Sequence, residues 1–171
     1  MKKLLLFLLL ASASFAAVAQ VGRTMPNICL LDVHSKSSPI PEIGQKPILI
    51  YYVDPDVYEA QAPITDLINS KKYSPKAFKY IAIMNLKDTW VPNWLITRET
   101  KKNQKKYPDY LIMLDKDNTF SKALGLGETN NTVQIILVGK DSKIKCVHSV
   151  KTKEEGEKIK DKIIEAIEKQ M

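Results

Sequence analysis

The stretch ILIYYVDPDVYEAQAPITDLI, residues 48–68, decides the fold class. Its first six residues form an unbroken apolar run rich in β-branched and aromatic side chains, which is typical of a strand covered on both faces. Asp54 and Pro55 end that strand. Apolar residues then recur at helical spacing between residues 57 and 72, where Pro63 should kink the helix. The stretch predicts a buried strand that runs directly into a helix.

The rest of the chain alternates between the same two kinds of element. Strand patterns cover residues 27–33, 77–86 and the start of 110–120, and two more strands in 132–150 are joined by a Gly-Lys-Asp-Ser turn. Helix patterns cover residues 95–106, the single turn at 121–126, and 152–170, while residues 35–47 and 87–94 are predicted loops. In the last helix Thr152 and Glu155 form a capping box, and four isoleucines form an apolar stripe at 159, 163, 164 and 167. This order predicts one mixed sheet covered by helices.

The first residues have the pattern of a targeting segment. Lys2 and Lys3 precede a short apolar run, and Ala17-Val18-Ala19 matches a cleavage site, so residues 1–19 are predicted to be a secretory signal peptide. The apolar run is too short to span a bilayer with ease, so an integral membrane anchor is not expected. Residues 20–171 then form a single domain, in the periplasm or secreted where there is no outer membrane.

The charge balance is modestly basic. Without Lys2 and Lys3, 24 basic residues face 19 acidic ones, a formal charge of +5. The protein is expected to be exported and monomeric. For such a protein this charge favours anionic surfaces as partners at most, and nucleic acid is not an expected ligand. The basic helix at 95–106 is interpreted as a solvated face, with an anionic envelope component as the alternative.

The sequence contains two cysteines, Cys29 and Cys146, both in strand patterns. A thiol in a strand is most often a small core side chain, but export also permits a disulfide or a reactive thiol. His34 and His148 have no neighbouring ligand motif, and neither a shared metal site nor any cofactor is expected.

The element order, with the segments GQKPILIYYV, AQAPITDLI and LIMLDKDNTFSKALGL, resembles the thioredoxin-like fold in its exported thiol-reductase and peroxiredoxin-like branch. Within that branch the chain is similar to the YtfJ-type family, exported proteins of unknown function, notably in NQKKYPDYLIMLDKD at 103–117. The resemblance implies a three-layer α/β/α domain with a mixed central sheet and a C-terminal antiparallel hairpin plus helix.

The resemblance also shows where the chain departs from a redox protein. Thioredoxins carry C-x-x-C after the first core strand, and this chain has Asp-Pro-Asp-Val at 54–57. The cis-Pro expected before the hairpin is Val133, so the preceding peptide should be trans. The redox activity is therefore not carried over.

Three loops should meet where the redox site would lie: 54–59, 87–94 and 127–132. The candidate binding residues on them are Asp54, Asp56, Tyr58, Glu59, Asp88, Trp90, Asn131 and Thr132. The carboxylates at 54, 56 and 59 are explained first by helix capping, and Trp90 and Trp94 by packing over the core. An exposed Trp pair would instead form a contact patch.

Three functions remain open at this point. The first is a non-redox binding protein whose ligand is a protein, a peptide or a small polar molecule. The second is a divergent thiol peroxidase or reductase using Cys29 or Cys146, although the expected topology puts both away from the former redox edge. The third is divalent-cation binding at Asp54, Asp56 and Glu59.

Overall fold

A computed structural model describes residues 20–107 and 110–171. The predicted signal peptide, residues 1–19, lies outside the described residues. The seven strands are β1 Cys29–Asp32, β2 Ser37–Pro39, β3 Ile48–Val53, β4 Lys79–Asn85, β5 Leu111–Asp115, β6 Val133–Val138 and β7 Ile144–Val150. They form one sheet in the order β2-β1-β5-β4-β3-β6-β7.

Four α-helices and one 3₁₀ segment complete the domain. The 3₁₀ segment is Pro55–Gln61, and the helices are α1 Ala62–Lys71, α2 Asn93–Lys106, α3 Thr119–Leu124 and α4 Lys153–Glu168. None of the helices within the described ranges is long and apolar enough to cross a membrane.

Strand β3 is the centre of the sheet. It runs parallel to β4 and antiparallel to β6, with Ile50 level with Ile81 on one side and Ile136 on the other. Every residue of β3 is at most 1% exposed, which confirms the prediction of a strand buried on both faces. The parallel β4–β5 pair and the antiparallel β6–β7 hairpin give the expected mixed sheet.

The two faces of the sheet carry separate core layers. On one face Tyr51 of β3 packs with residues of α1 and α4, and α2 contributes Ile96 to a smaller neighbouring cluster. On the other face the Tyr52 ring stacks on Phe120 of α3 at 5.2 Å, and the N-terminal segment adds Met25. The second face is therefore covered by one short helix and irregular chain.

Two local expectations are corrected. The single kinked helix is divided into the 3₁₀ segment and α1, with a non-helical backbone at Val57 (φ −128°, ψ 27°). Pro63 lies in the first turn of α1, where an N–H has no intrahelical partner to lose. Within the predicted loop 35–47, Ser37–Pro39 forms strand β2 and pairs antiparallel with β1.

Helix α4 is capped as its sequence predicts, with one difference. The Thr152 hydroxyl accepts from the backbone N–H of Glu155 at 3.3 Å. The Glu155 carboxylate accepts from the N–H of Lys151 at 2.7 Å, one residue before the expected donor. Ile163 and Ile167 are fully buried, which confirms the apolar stripe.

Gly156 sets how closely α4 approaches the 3₁₀ segment. A Cβ at this position would collide with the backbone carbonyl oxygen of Ala60 and would press on the ring of Pro63 at 3.4 Å. A backbone carbonyl cannot move aside as a flexible side chain can. The first turn of α4 therefore packs against the chain directly after β3 only if residue 156 has no side chain.

Replacing Gly156 with Ala should destabilise the protein, although the same change in an exposed helix stabilises it by about 1 kcal/mol. We expect a loss of about 1–3 kcal/mol because the added methyl group overpacks the contact. The measurement is urea unfolding, with Lys158→Ala on the exposed side of α4 as the control. A Gly156→Ala variant that unfolds at the wild-type urea concentration or higher would contradict this account of the contact.

Candidate functional site

Four loops meet at the carboxyl ends of β3, β4 and β5. The three expected loops are in contact: Asp54 accepts from the N–H of Asn131 at 2.6 Å, and Asp56 accepts from the Thr89 hydroxyl at 2.7 Å. The fourth loop, residues 116–118 after β5, joins them through Asn118. The topology places these loops together because parallel strands end at the same edge of the sheet.

Asp54 joins two of the loops and is fully buried. Its carboxylate caps the 3₁₀ segment by accepting from the N–H of Asp56 at 2.9 Å, and its other oxygen accepts from Asn131. Burial raises the pKa of Asp54 above its ordinary value, although both backbone hydrogen bonds act to lower it. The prediction of helix capping therefore holds for Asp54. Its side chain connects two loops and has no exposed surface for a ligand to contact.

Asp56, Tyr58 and Glu59 do not converge on one point. The Asp56 carboxylate accepts hydrogen bonds from the Thr89 hydroxyl and, at 3.3 Å, from the N–H of Trp90. The Tyr58 hydroxyl donates to Glu59 at 3.2 Å on the exposed side of the segment. Across residues 20–107 and 110–171 no three His, Cys, Asp or Glu side chains are grouped to hold a metal ion. The geometry gives the divalent-cation hypothesis no support.

Asp88 is the centre of the polar contacts between loops. Its carboxylate accepts from Asn85 at 2.9 Å, from Asn118 at 3.2 Å and from the Thr129 hydroxyl at 3.0 Å. Partial burial acts to raise the pKa of Asp88, but the three hydrogen bonds outweigh it and hold the pKa below its ordinary value. Asp88 is thus kept ionised while three different segments donate to it.

Asp115 and Tyr52 extend this network into the core. Asp115 is 1% exposed and accepts from the N–H groups of Thr119 and Phe120 at 2.9 Å each, which begins α3. The Tyr52 hydroxyl lies 3.2 Å from Asp115 and 3.4 Å from the amide oxygen of Asn118. Burial, with the neighbouring carboxylate, raises the pKa of Tyr52, so the phenol stays protonated and available as a donor.

The site residues predicted from the sequence did not include Asp115, Tyr52 or Asn118. The rule that selected Asp54, a carboxylate at the end of a core strand, also applies to Asp115. For Tyr52 the sequence gives no signal, since an apolar run does not show which hydroxyl reaches the edge.

A polar cavity of about 570 Å³ lies between the third and fourth loops. Its lining is Asp88, Asn118, Ser121, Lys122, Gly127, Glu128, Thr129 and Asn130. The Lys122 ammonium donates to the backbone oxygen of Asp117 at 2.9 Å and keeps its positive charge in the lining. Most of the remaining polar lining can accept hydrogen bonds, so the cavity suits a ligand that donates them.

Of the eight predicted site residues, Asp88 alone belongs to this lining. Thr132 is 2% exposed, and its hydroxyl accepts from Gln134 at 3.2 Å. Its backbone oxygen accepts from the N–H of Asp54 at 3.1 Å, and the Thr132–Val133 peptide is trans as expected. Asn131 bonds Asp54 through its backbone and leaves its side chain exposed.

The tryptophans were expected to pack over the core, and this prediction is wrong. Trp90 is 81% exposed and Trp94 is 65% exposed. The Arg98 guanidinium lies 5.3 Å from the centre of the Trp94 ring. The loop after β4 and the first turn of α2 therefore present large aromatic side chains to solvent beside the polar network.

The two cysteines are free thiols in different surroundings. They lie on β1 and β7, five strand spacings of about 4.8 Å apart, so they cannot pair within one chain. Burial raises the pKa of Cys146, which suits the inert interpretation. Cys29 was expected in the core and away from the former redox edge, but it is exposed and lines a cavity of about 160 Å³ with Lys116 and Asp117. It lies at the site end of the sheet, three strand spacings from β3.

The mixed sheet, the helices on its faces and the loops beyond β3 define a thioredoxin-like fold. Among solved structures, the chain is similar to a candidate thioredoxin from Neisseria meningitidis, with 22% identity, a TM-score of 0.58, and coverage of 85% of this chain and 90% of that one. It is also similar to a candidate thiol:disulfide interchange protein DsbE from Chlorobium tepidum, with 14% identity, a TM-score of 0.61, and coverage of 86% and 97%.

A third similar structure is the exposed lipoprotein thioredoxin Etrx1 of Streptococcus pneumoniae, with 14% identity, a TM-score of 0.59, and coverage of 84% and 99%. No protein-family model matches the sequence, and no curated protein matches it. At these identities the likeness concerns the fold alone.

Replacing Asp88 with Asn should lower the free energy of unfolding at pH 7 by about 1–3 kcal/mol, since the charged acceptor of three hydrogen bonds is lost. The pKa of Asp88 is lower in the folded protein than its unfolded value of about 3.9, so the stabilisation exists above that pH and disappears as the pH falls through the folded pKa. The difference between wild type and variant should therefore shrink in acid.

The measurement is denaturant unfolding from neutral to acid pH, with Asp66→Asn on the exposed side of α1 as the control. A difference that stays constant across the whole range would show that Asp88 does not act as a charged acceptor.

Proposed function

We propose that this chain is an exported thioredoxin-fold protein of the YtfJ type that binds a ligand at the carboxyl-terminal edge of its sheet without dithiol chemistry. The segment at 103–117 and the signal-like start of the sequence support the family and the periplasmic location. The Asp-Pro-Asp-Val sequence after β3 supports the absence of disulfide exchange, since that chemistry needs a paired thiolate at this point.

The observation that carries the proposal is the ionised, hydrogen-bonded carboxylate of Asp88 in the wall of the polar cavity. Glu128 adds a second carboxylate to the same wall, and its hydrogen bond to the N–H of Asn130 at 2.9 Å fixes the loop. With Lys122 in the same lining, the two carboxylates leave the cavity a net charge of −1, whereas the whole chain has a formal charge of +7. A small molecule or peptide end with an ammonium group fits this lining.

The exposed aromatic side chains beside the network supply a second kind of contact. Trp90 is held through its backbone N–H by Asp56, while its ring remains open to solvent. Large, rigid aromatic groups contribute much of the energy of protein and peptide recognition. A peptide whose amino end occupies the cavity could extend over this loop, and we therefore favour a peptide over a free metabolite.

The test uses three probes: triglycine, N-acetyl-triglycine and spermidine. Amide resonances of Asn118 and Asn130 should shift with triglycine and spermidine, and should not shift with the acetylated peptide, which lacks the ammonium group. Glu128→Gln should weaken the response, whereas Glu165→Gln on the exposed side of α4 should leave it unchanged. Identical responses to triglycine and its acetylated form, or no response to any probe, would overturn the proposal.

The position of Cys29 keeps a thiol enzyme as a second candidate. This thiol is exposed, lies at the site end of the sheet and shares a small cavity with Lys116. A peroxide-reducing thiol would form a sulfenic acid and would be protected by peroxide from alkylation.

Under the binding function, Cys29 should alkylate at the rate of an ordinary exposed thiol, and Cys146 should alkylate only slowly before unfolding. The measurement is alkylation of the native and denatured protein with and without peroxide, and Cys29→Ser identifies the faster thiol. Fast native alkylation of Cys29 that stoichiometric peroxide blocks would replace the binding function with the enzymatic one.

A further inference from the structure

A second cavity lies at the opposite end of the parallel strands. It has a volume of about 630 Å³ and is bordered by the first residues of β4 and β5, Lys79 and Leu111. Five lysines and one glutamate line it, a net charge of +4. Its volume is within the range of small-molecule sites, and it shares no lining residue with the polar cavity at the carboxyl ends.

Among the described residues Glu42 is the only acidic one in this lining, and it forms ion pairs with two lysines. Its oxygens lie 2.9 Å from the Lys46 ammonium and 3.3 Å from the Lys79 ammonium. The side chains of these lysines are only 16% and 22% exposed, so neither charge is fully solvated. The single carboxylate of Glu42 balances only one of the two half-buried ammonium groups. Among the described residues of the lining, one positive charge is therefore left without a counter-ion.

The spare donors belong mainly to Lys79. Lys46 forms an ion pair with Glu42 and donates a hydrogen bond to the backbone oxygen of Pro75 at 2.8 Å. Within the described part of the chain the ammonium group of Lys79 has Glu42 as its one hydrogen-bond partner, and an ammonium group has three N–H donors. Lys72 and Lys76 stand exposed in the same lining and, within residues 20–107 and 110–171, have no acidic partner.

Aromatic rings also line the cavity. The rings of Tyr80 and Tyr110 lie 5.1 Å apart, and those of Tyr73 and Phe78 lie 5.6 Å apart. All four belong to the lining. Two ring pairs and a cluster of ammonium groups in one lining suit a ligand with a planar apolar body and an anionic group, since aromatic pairs contribute beyond the area that they bury.

We propose that this cavity binds a small aromatic anion, with its phosphate or carboxylate group on Lys79 and Lys46 and its ring against Tyr80. The Glu42 carboxylate holds the two lysines in place and leaves the excess positive charge for the ligand. This site is separate from the amine-binding site of the proposed function, and each proposal can fail without the other.

Isothermal titration with phenyl phosphate, inorganic phosphate and phenol tests the proposal on the full-length mature protein. Phenyl phosphate should bind at least about tenfold more tightly than inorganic phosphate, a difference of about 1.4 kcal/mol from the ring, and phenol should not bind measurably. Lys79→Gln should weaken phenyl phosphate by about tenfold or more, whereas Lys36→Gln, an exposed lysine before β2, should not change it.

Thermal unfolding of both variants checks that they remain folded. If Lys79→Gln does not fold, Lys76→Gln at the cavity rim replaces it. Equal affinity for phenyl phosphate and inorganic phosphate would mean general attraction of anions to a basic surface and would overturn the proposal. Unchanged binding in the lysine variants would overturn it as well.

Discussion

Burial of β3 on both faces is the constraint on which the rest of the structure depends. Each of its six side chains is withdrawn from water, and burying apolar surface contributes roughly 25 cal/mol per Å². Because neighbouring side chains point to opposite faces, Tyr51 and Tyr52 require two separate covering layers, and a shift of one residue would exchange them. Helices α1 and α4 supply one layer, and α3 with the N-terminal segment supplies the other. The polar residues must then gather where the strand ends, since neither face can take them.

The carboxylates at those strand ends hold the loops together. Burying a charged group is costly unless hydrogen bonds replace its water, and Asp54, Asp88 and Asp115 each accept at least two. Their surroundings differ: burial dominates at Asp54 and raises its pKa, while side-chain donors dominate at Asp88 and lower it. Asp54 and Asp115 are therefore structural carboxylates closed to solvent, whereas Asp88 borders a cavity. The same type of residue has separate roles because the local balance of donors and burial differs.

Patterns that are local in sequence predicted most of the fold. The bounds of β3 match the apolar run, and the hairpin and α4 follow from turn and capping signals that act over a few residues. Strand β2 has three residues with no periodic apolar pattern, so only its pairing with β1 defines it. Cys29 occupies the exposed first position of β1, which a four-residue strand does not reveal. The exposure of Trp90 and the position of Tyr52 beside Asp115 depend on distant segments, and single-sequence patterns do not contain that information.

The bond between Asp54 and Asn131 has a consequence for how this scaffold could change its chemistry. A cysteine pair placed at residues 54 and 57 would remove the carboxylate that joins two loops and caps the segment after β3. The second cysteine would also replace Val57, whose backbone is not helical, so the pair would not lie on one continuous helix. Two substitutions alone would therefore release the loop that Asp54 holds, and a working dithiol would require new contacts to tie residues 54–59 to residues 127–132.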